Sequence, residues 1–252
     1  MSIPTPSAPC GACDAFGSIV EIGHINLQIP NQDTAIAFYA GALGLTRDPD
    51  AMTGSSNMWI NVGCSQFHLP SRSPTQLHRG TVGLVTGSRD GLLQRLRLAR
   101  DVLKDTKFAF AEAEGHIDVT CPWGNRVRCH APQAQLLGFA MLGMAYVEFD
   151  VPVGTTEGIG RFYSEVIGAA ASAGGDACVR VGCGAHQALI FRESSSPLPT
   201  YDGYHIMLTL SEFTGIYRRL ADLRLITRGG VELQEYAPAC PLFISTLLLC
   251  MK

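Results

Sequence analysis

The stretch Gly23-His24-Ile25-Asn26-Leu27-Gln28-Ile29-Pro30, with Phe38-Tyr39 and Leu43-Gly44-Leu45 after it, decides the fold because it recurs. Its counterpart is Ala145-Tyr146-Val147-Glu148-Phe149-Asp150-Val151-Pro152, with Phe162-Tyr163 and Ile167-Gly168 after it. Each copy then reaches the same tripeptide, at Val62-Gly63-Cys64 and Val181-Gly182-Cys183. A period of roughly 120 residues implies repeated units, with function sought where the units meet.

The repeat is finer than two copies. Gly203-Tyr204-His205-Ile206-Met207-Leu208-Thr209-Leu210 resembles the opening His24-Ile25-Asn26-Leu27, and Arg79-Gly80-Thr81-Val82-Gly83-Leu84-Val85 is a weaker relative. Four units therefore begin near residues 20, 79, 143 and 203. Each opens with a strand, continues with a helix and ends in shorter β segments. In the first strand Ile25, Leu27 and Ile29 point one way and His24, Asn26 and Gln28 the other, as in a half-buried strand. Apolar stripes follow at Ile36, Tyr39, Ala40, Leu43, at Leu92, Leu96, Ala99, Leu103 and at Ile159, Phe162, Tyr163, Val166. Asn31 or Asp33, Thr155 or Thr156, and Ser211 are the expected helix caps. Cys121-Pro122-Trp123-Gly124-Asn125 reads as a tight turn between strands.

This pattern resembles the vicinal oxygen chelate superfamily, which includes glyoxalase I, fosfomycin- and bleomycin-resistance proteins and extradiol dioxygenases. The resemblance rests on the His-Ile-x-Leu strand, the Phe-Tyr helix with Leu-Gly-Leu after it, and Pro122-Trp-Gly-Asn-Arg-Val127. It implies an α+β fold of four tandem βαβββ modules, pairing into two cupped mixed sheets backed by helices. The expected organisation is a disordered tail at 1–17 and two domains, at 18–134 and 140–252, with modules one and two sharing the first cup. The ending 231–252 lacks the turn and terminal glutamate strand of the family, although Pro241 to Cys250 is apolar enough to pair as a strand.

Composition fits a globular protein. Charged residues make up 16%, hydrophobic residues 46%, and the net charge is −3; nothing marks a nucleic-acid footprint. No apolar run reaches the ~18 residues of a membrane span. The opening residues lack the basic and long apolar regions of a signal peptide. Of nine cysteines, Cys10 and Cys13 form a lone C-x-x-C without the further ligands a zinc site wants. An odd count without a secretion signal favours a reducing, cytoplasmic setting. Cys64 and Cys183 hold equivalent positions, and burial is expected at both.

The resemblance also implies a metal site with ligands from the first and last strands of each module in a pair. Residue by residue, His24 matches the first-strand position of module one and His68 the last. In module two Thr81 holds the first-strand position, and either Arg128 or His130 the last, depending on register. The implied ligands are His24, His68 and His130, around a divalent Fe, Zn, Mn or Ni ion. Asn26, Gln28 and Arg128 would orient a substrate with vicinal oxygens. In the second cup Tyr146 stands where His24 stood, Gln187 or Ile190 near the place of His68, and His205 keeps a ligand type. That set lacks the glutamate of extradiol dioxygenases, and the first cup lacks the two glutamates of glyoxalase I. The reading is a glyoxalase-like protein acting as a metal-dependent lyase, isomerase or dioxygenase. The alternatives are a non-catalytic, drug-sequestering type of binding protein and a scaffold or homodimerisation module.

Overall fold

A computed structural model describes residues 17–51, 56–132, 142–175 and 177–226, and the backbone of 245–249. The expected tail, the C-x-x-C and most of the Gln133–Gly143 linker lie outside the described residues. Module one comprises β1 (Ile19–Asn26), α1 (Gln32–Ala35) running into a π-helical turn (Ile36–Ala42), β2 (Thr46–Arg47), β3 (Asn57–Val62) and β4 (Ser65–Pro70). Module two comprises β5 (Gly80–Val85), α2 (Arg89–Val102), β6 (Ala109–Ala113), β7 (His116–Thr120) and β8 (Arg126–His130). Module three comprises β9 (Gly143–Pro152), α3 (Thr156–Arg161) running into a second π-helical turn (Phe162–Ile167), β10 (Ala171–Ala173), β11 (Cys178–Cys183) and β12 (Gln187–Ser194). Module four supplies β13 (His205–Leu210), α4 (Thr214–Asp222) and β14 (Ser245–Leu249). No helix among the described residues is long and apolar enough to cross a membrane.

The strands make two mixed sheets backed by these helices. The first runs β14-β13-β1-β4-β3-β2 and the second β10-β11-β12-β9-β5-β8-β7-β6. Module one therefore shares a sheet with module four, and module two with module three. This corrects the expected partnership of modules one and two. Within modules one, two and three the opening strand pairs in parallel with the last strand, β1 with β4, β5 with β8 and β9 with β12, whereas in module four β13 and β14 pair antiparallel. The opening strand's other edge is free to take any opening strand, and the repeat carries no information on which. β1 takes β13, antiparallel, with Asn26 opposite His205, and β5 takes β9.

Alternation in β1 holds: Ile25, Leu27 and Ile29 are buried in the core, while His24 and Asn26 face the other way. The helix stripes shift. The Leu43 N–H bonds the Phe38 carbonyl at 2.9 Å, five residues back. This wider winding buries Ala35, Phe38, Tyr39, Ala42 and Leu43 and leaves Ile36 37% exposed. In α3 and its π turn only Tyr163 and Ile167 are fully buried. The α2 stripe is as expected.

Asn31 caps α1 through Oδ1, which accepts from the Thr34 N–H. Two other caps differ from expectation. Glu193 accepts from the Thr156 N–H and hydroxyl at α3, and Glu212 from the Gly215 N–H at α4. The Cys121–Asn125 turn forms with Gly124 at φ +113°.

Gln187 ties the sheets together. Its Oε1 accepts from the Ile22 N–H at 2.8 Å, and its Nε2 donates to Ser65 Oγ at 2.7 Å and to the Met144 carbonyl at 2.9 Å. Cys183 is buried, but Cys64 is exposed, against expectation. Val62 pairs with Ser65, so Gly63 and Cys64 are themselves the hairpin loop. Cys183 instead pairs with Gln187 at the end of a strand.

Candidate functional site

The polar face of the first sheet gathers His24 and Asn26 from β1, His68 from β4, Asn57 and Trp59 from β3, and His205 from β13. Ring centroids separate His24 from His68 by 5.5 Å, from His205 by 5.9 Å and from Trp59 by 5.1 Å. His68 lies on Trp59, centroids 3.8 Å apart and planes 6° from parallel. These two residues are directly opposed across the β3–β4 hairpin.

His68 is held at both ring nitrogens. Nδ1 is 2.6 Å from Asn26 Nδ2 and Nε2 is 2.7 Å from Asn57 Oδ1. An amide nitrogen donates and an amide oxygen accepts, so the proton sits on Nε2 and Nδ1 accepts. Burial, then the charge of His68 and that of His205, pull the His24 pKa down to about 3. Burial and His205 bring His68 to about 4. Burial also lowers His205, against a hydrogen bond to the Gly203 backbone. All three imidazoles are neutral at pH 7.

Neutral imidazoles are the right donors for a first-row divalent ion. The arrangement does not fit one, however. Among the described residues no group of three His, Cys, Asp or Glu side chains is placed to hold a metal ion. Both His68 nitrogens are occupied.

The residues expected to surround one metal are divided between the sheets. His24, His68 and Asn26 stand together in the first. Gln28 lies two residues beyond Asn26, its N–H bound by Gln76 Oε1 at 2.9 Å. Arg128, His130 and Tyr146 stand together in the second. This is the consequence of the module pairing, which also moves His205 away from Tyr146 and beside His24.

The second sheet presents a charged face. Arg128 Nε donates to Asp118 Oδ1 at 2.7 Å, Arg126 pairs with Asp150 and Arg192 with Glu148. Tyr146 lies in the middle, its hydroxyl 2.9 Å from His130 Nε2. A Cβ on Gly83 would stand 2.2 Å from the Tyr146 ring, so only glycine lets the phenol lie there. Burial, His116 and Arg128 hold His130 at about 4. Ile190 is half-buried on this face, opposite Arg180 and Glu148.

Trp59 and Asn57 are absent from the residues picked out in sequence. A signal for Trp59 existed: the two-residue loop Gly63-Cys64 sets Val62 opposite Ser65, and counting outward sets Trp59 opposite His68.

No family model and no curated protein sequence matches this chain. Solved structures do. Glyoxalase I from Zea mays superposes with a TM-score of 0.56 at 12% identity, over 84% of this chain and 81% of that one. A candidate dioxygenase from Bacillus subtilis subsp. subtilis str. 168 gives 0.51 at 11% identity, over 79% and 83%. The chain has the vicinal oxygen chelate fold. At these identities the likeness concerns architecture, and a vicinal oxygen chelate fold carries many chemistries. Function is therefore argued from the site.

Proposed function

We propose that the protein binds a small, uncharged, oxygen-bearing molecule on the polar face of the first sheet, between His24, Trp59 and His205. The observation that carries this reading is the clamped His68. Stacked on Trp59 and bonded by Asn26 and Asn57, it makes a fixed wall rather than a free metal ligand. The ring nitrogens of His24 have no hydrogen-bonding partner among the described residues and are open to a ligand's hydroxyl or carbonyl. The six side chains carry no net charge at neutral pH, so hydrogen bonding and ring contact select the ligand.

The rival reading is a metal-dependent lyase, isomerase or dioxygenase. It is favoured by one observation: three neutral imidazoles lie on adjoining strands. It requires His68 to leave both amides.

The test uses the chain's two tryptophans. In a Trp123→Phe background, Trp59 emission reports on the site. Catechols, vicinal diols and 2-oxo esters are titrated while emission and Tm are followed. Saturable quenching that His24→Ala weakens supports the binding reading. Elemental analysis run in parallel separates the rival. About one bound divalent ion per chain, lost in His24→Ala, overturns the metal-free reading.

A further inference from the structure

We propose that the crevice between modules one and two is a second ligand site, which takes the phosphate or carboxylate group of a small molecule on Arg95. The crevice measures about 240 Å³. Its walls come from the end of the first helical segment at Leu43–Thr46, the β3 end at Asn61–Gly63, the β5–α2 loop at Thr86–Gly87 and Leu142–Gly143. None of His24, Asn26, Asn57, Trp59, His68 and His205 lines it, and it does not depend on the function proposed for that face.

Arg95 is the one ionisable side chain among the described residues that line it. It projects from α2 and donates one hydrogen bond, from Nη2 to the Leu43 carbonyl at 3.3 Å. Its Nε is buried with no acceptor among the described residues. None of the ion pairs among the described residues includes it. A guanidinium is always charged and presents its N–H groups as a planar fork. Among the described residues most of that fork has no acceptor, and an unmade buried hydrogen bond is costly.

Gly44 leaves room for the guanidinium. At φ +74°, a Cβ there would stand 2.7–2.8 Å from Arg95 Nε, Cζ and Nη2. Thr46, Asn61 and Thr86 line the same crevice and add neutral polar groups. A carboxylate or phosphate oxygen pair matches the fork bidentately and supplies the missing charge and acceptors. The bond to Leu43 has a structural reading, a cation on the carbonyl end of a helical segment. It uses one donor, and the other N–H groups of Arg95 make no hydrogen bond to the described residues.

The experiment uses the full chain. Inorganic phosphate, malonate and sodium chloride are added at matched ionic strength, and Tm and calorimetric binding are followed for the wild type and Arg95→Gln. The expected result is saturable stabilisation by phosphate or malonate, absent with chloride, with affinity about tenfold or more weaker in Arg95→Gln. The better of the two anions identifies the phosphoryl or the carboxylate source. Arg95→Lys, which keeps the charge and loses the fork, should also bind more weakly, and it answers the question if Arg95→Gln does not fold. Equal stabilisation by chloride, no saturable binding of either anion, or unchanged affinity in the variants overturns the proposal. Trp59 emission should stay constant throughout, which separates this site from the first.

Discussion

Trp59 lies flat against His68 at 3.8 Å, and the same histidine is bonded at both nitrogens. Protonation of His68 would put a second donor against the Asn26 amide, which is itself a donor. In the Trp123→Phe background, Trp59 emission should therefore stay flat from pH 8 to pH 5 and change near the depressed His68 value of about 4. A midpoint at ~6.5, the ordinary histidine value, would show that the clamp does not hold in solution.

Stability should follow the same groups. His24, His68, His78 and His130 have folded-state pKa values depressed to about 3 or 4. Between ~6.5 and those values the unfolded chain binds protons that the folded chain refuses. Their stabilising contribution is complete above ~6.5 and is lost as pH falls toward 3–4. Urea midpoints should drop steadily from pH 7 to pH 5. A flat profile over that interval would contradict the burial of these rings.

Gln187→Leu should cost roughly 1–3 kcal/mol, because it strands the buried Ile22 N–H and the Met144 carbonyl. Equilibrium urea unfolding measures it. A loss below about 0.5 kcal/mol would mean that the link between sheets is not made.

The four module starts, the alternation of β1, the α2 stripe and the Cys121–Asn125 turn were all legible in sequence, because each is a local pattern. The pairing of modules was not. β1 and β5 have equivalent free edges, and the choice of β13 and β9 depends on contacts more than a hundred residues away. That one choice decided the site. His24 and His68, close in sequence, were grouped correctly. His130 and His205 were assigned to each other's cups. Of the expected stripe on the first helical segment Tyr39 and Leu43 are buried, whereas Ile36 and Ala40 give way to Ala35, Phe38 and Ala42, because a 3.6-residue period does not fit a π-helical turn. Asn57 was missed because its role is diagonal to His68 rather than directly across from it.

Gly83→Ala should destabilise the second sheet by about 1–3 kcal/mol, the usual range for overpacking. The added methyl meets the Tyr146 ring. Tyr146→Ala in the same chain should recover part of the loss, since it removes the clashing ring. A double-mutant cycle with no coupling would contradict the placement of the phenol over Gly83.

Cys64 should react with a thiol reagent quickly in the folded protein, and Cys121, Cys129 and Cys183 only on unfolding. Burial raises the thiol pKa of all three, to about 12 for Cys129 and Cys183. Peptide-level mass spectrometry after a short labelling pulse distinguishes them. Slow labelling of Cys64 would contradict its place in the hairpin loop.

The second sheet is nested inside the first along the chain. Its strands run without interruption from Gly80 to Ser194, whereas β1 waits for β13. On a ribosome adding roughly 5–20 residues per second, β1 stands without that partner for on the order of ten seconds after module one is made. The inner sheet closes during the wait, and the outer one is finished last. The edge of β1 that later pairs with β13 is then an unpaired row of backbone N–H and C=O groups. His205, on the opposite bank of the binding face, reaches it only after module three has been made, so a chain released before residue 205 should yield a folded inner sheet and half a site.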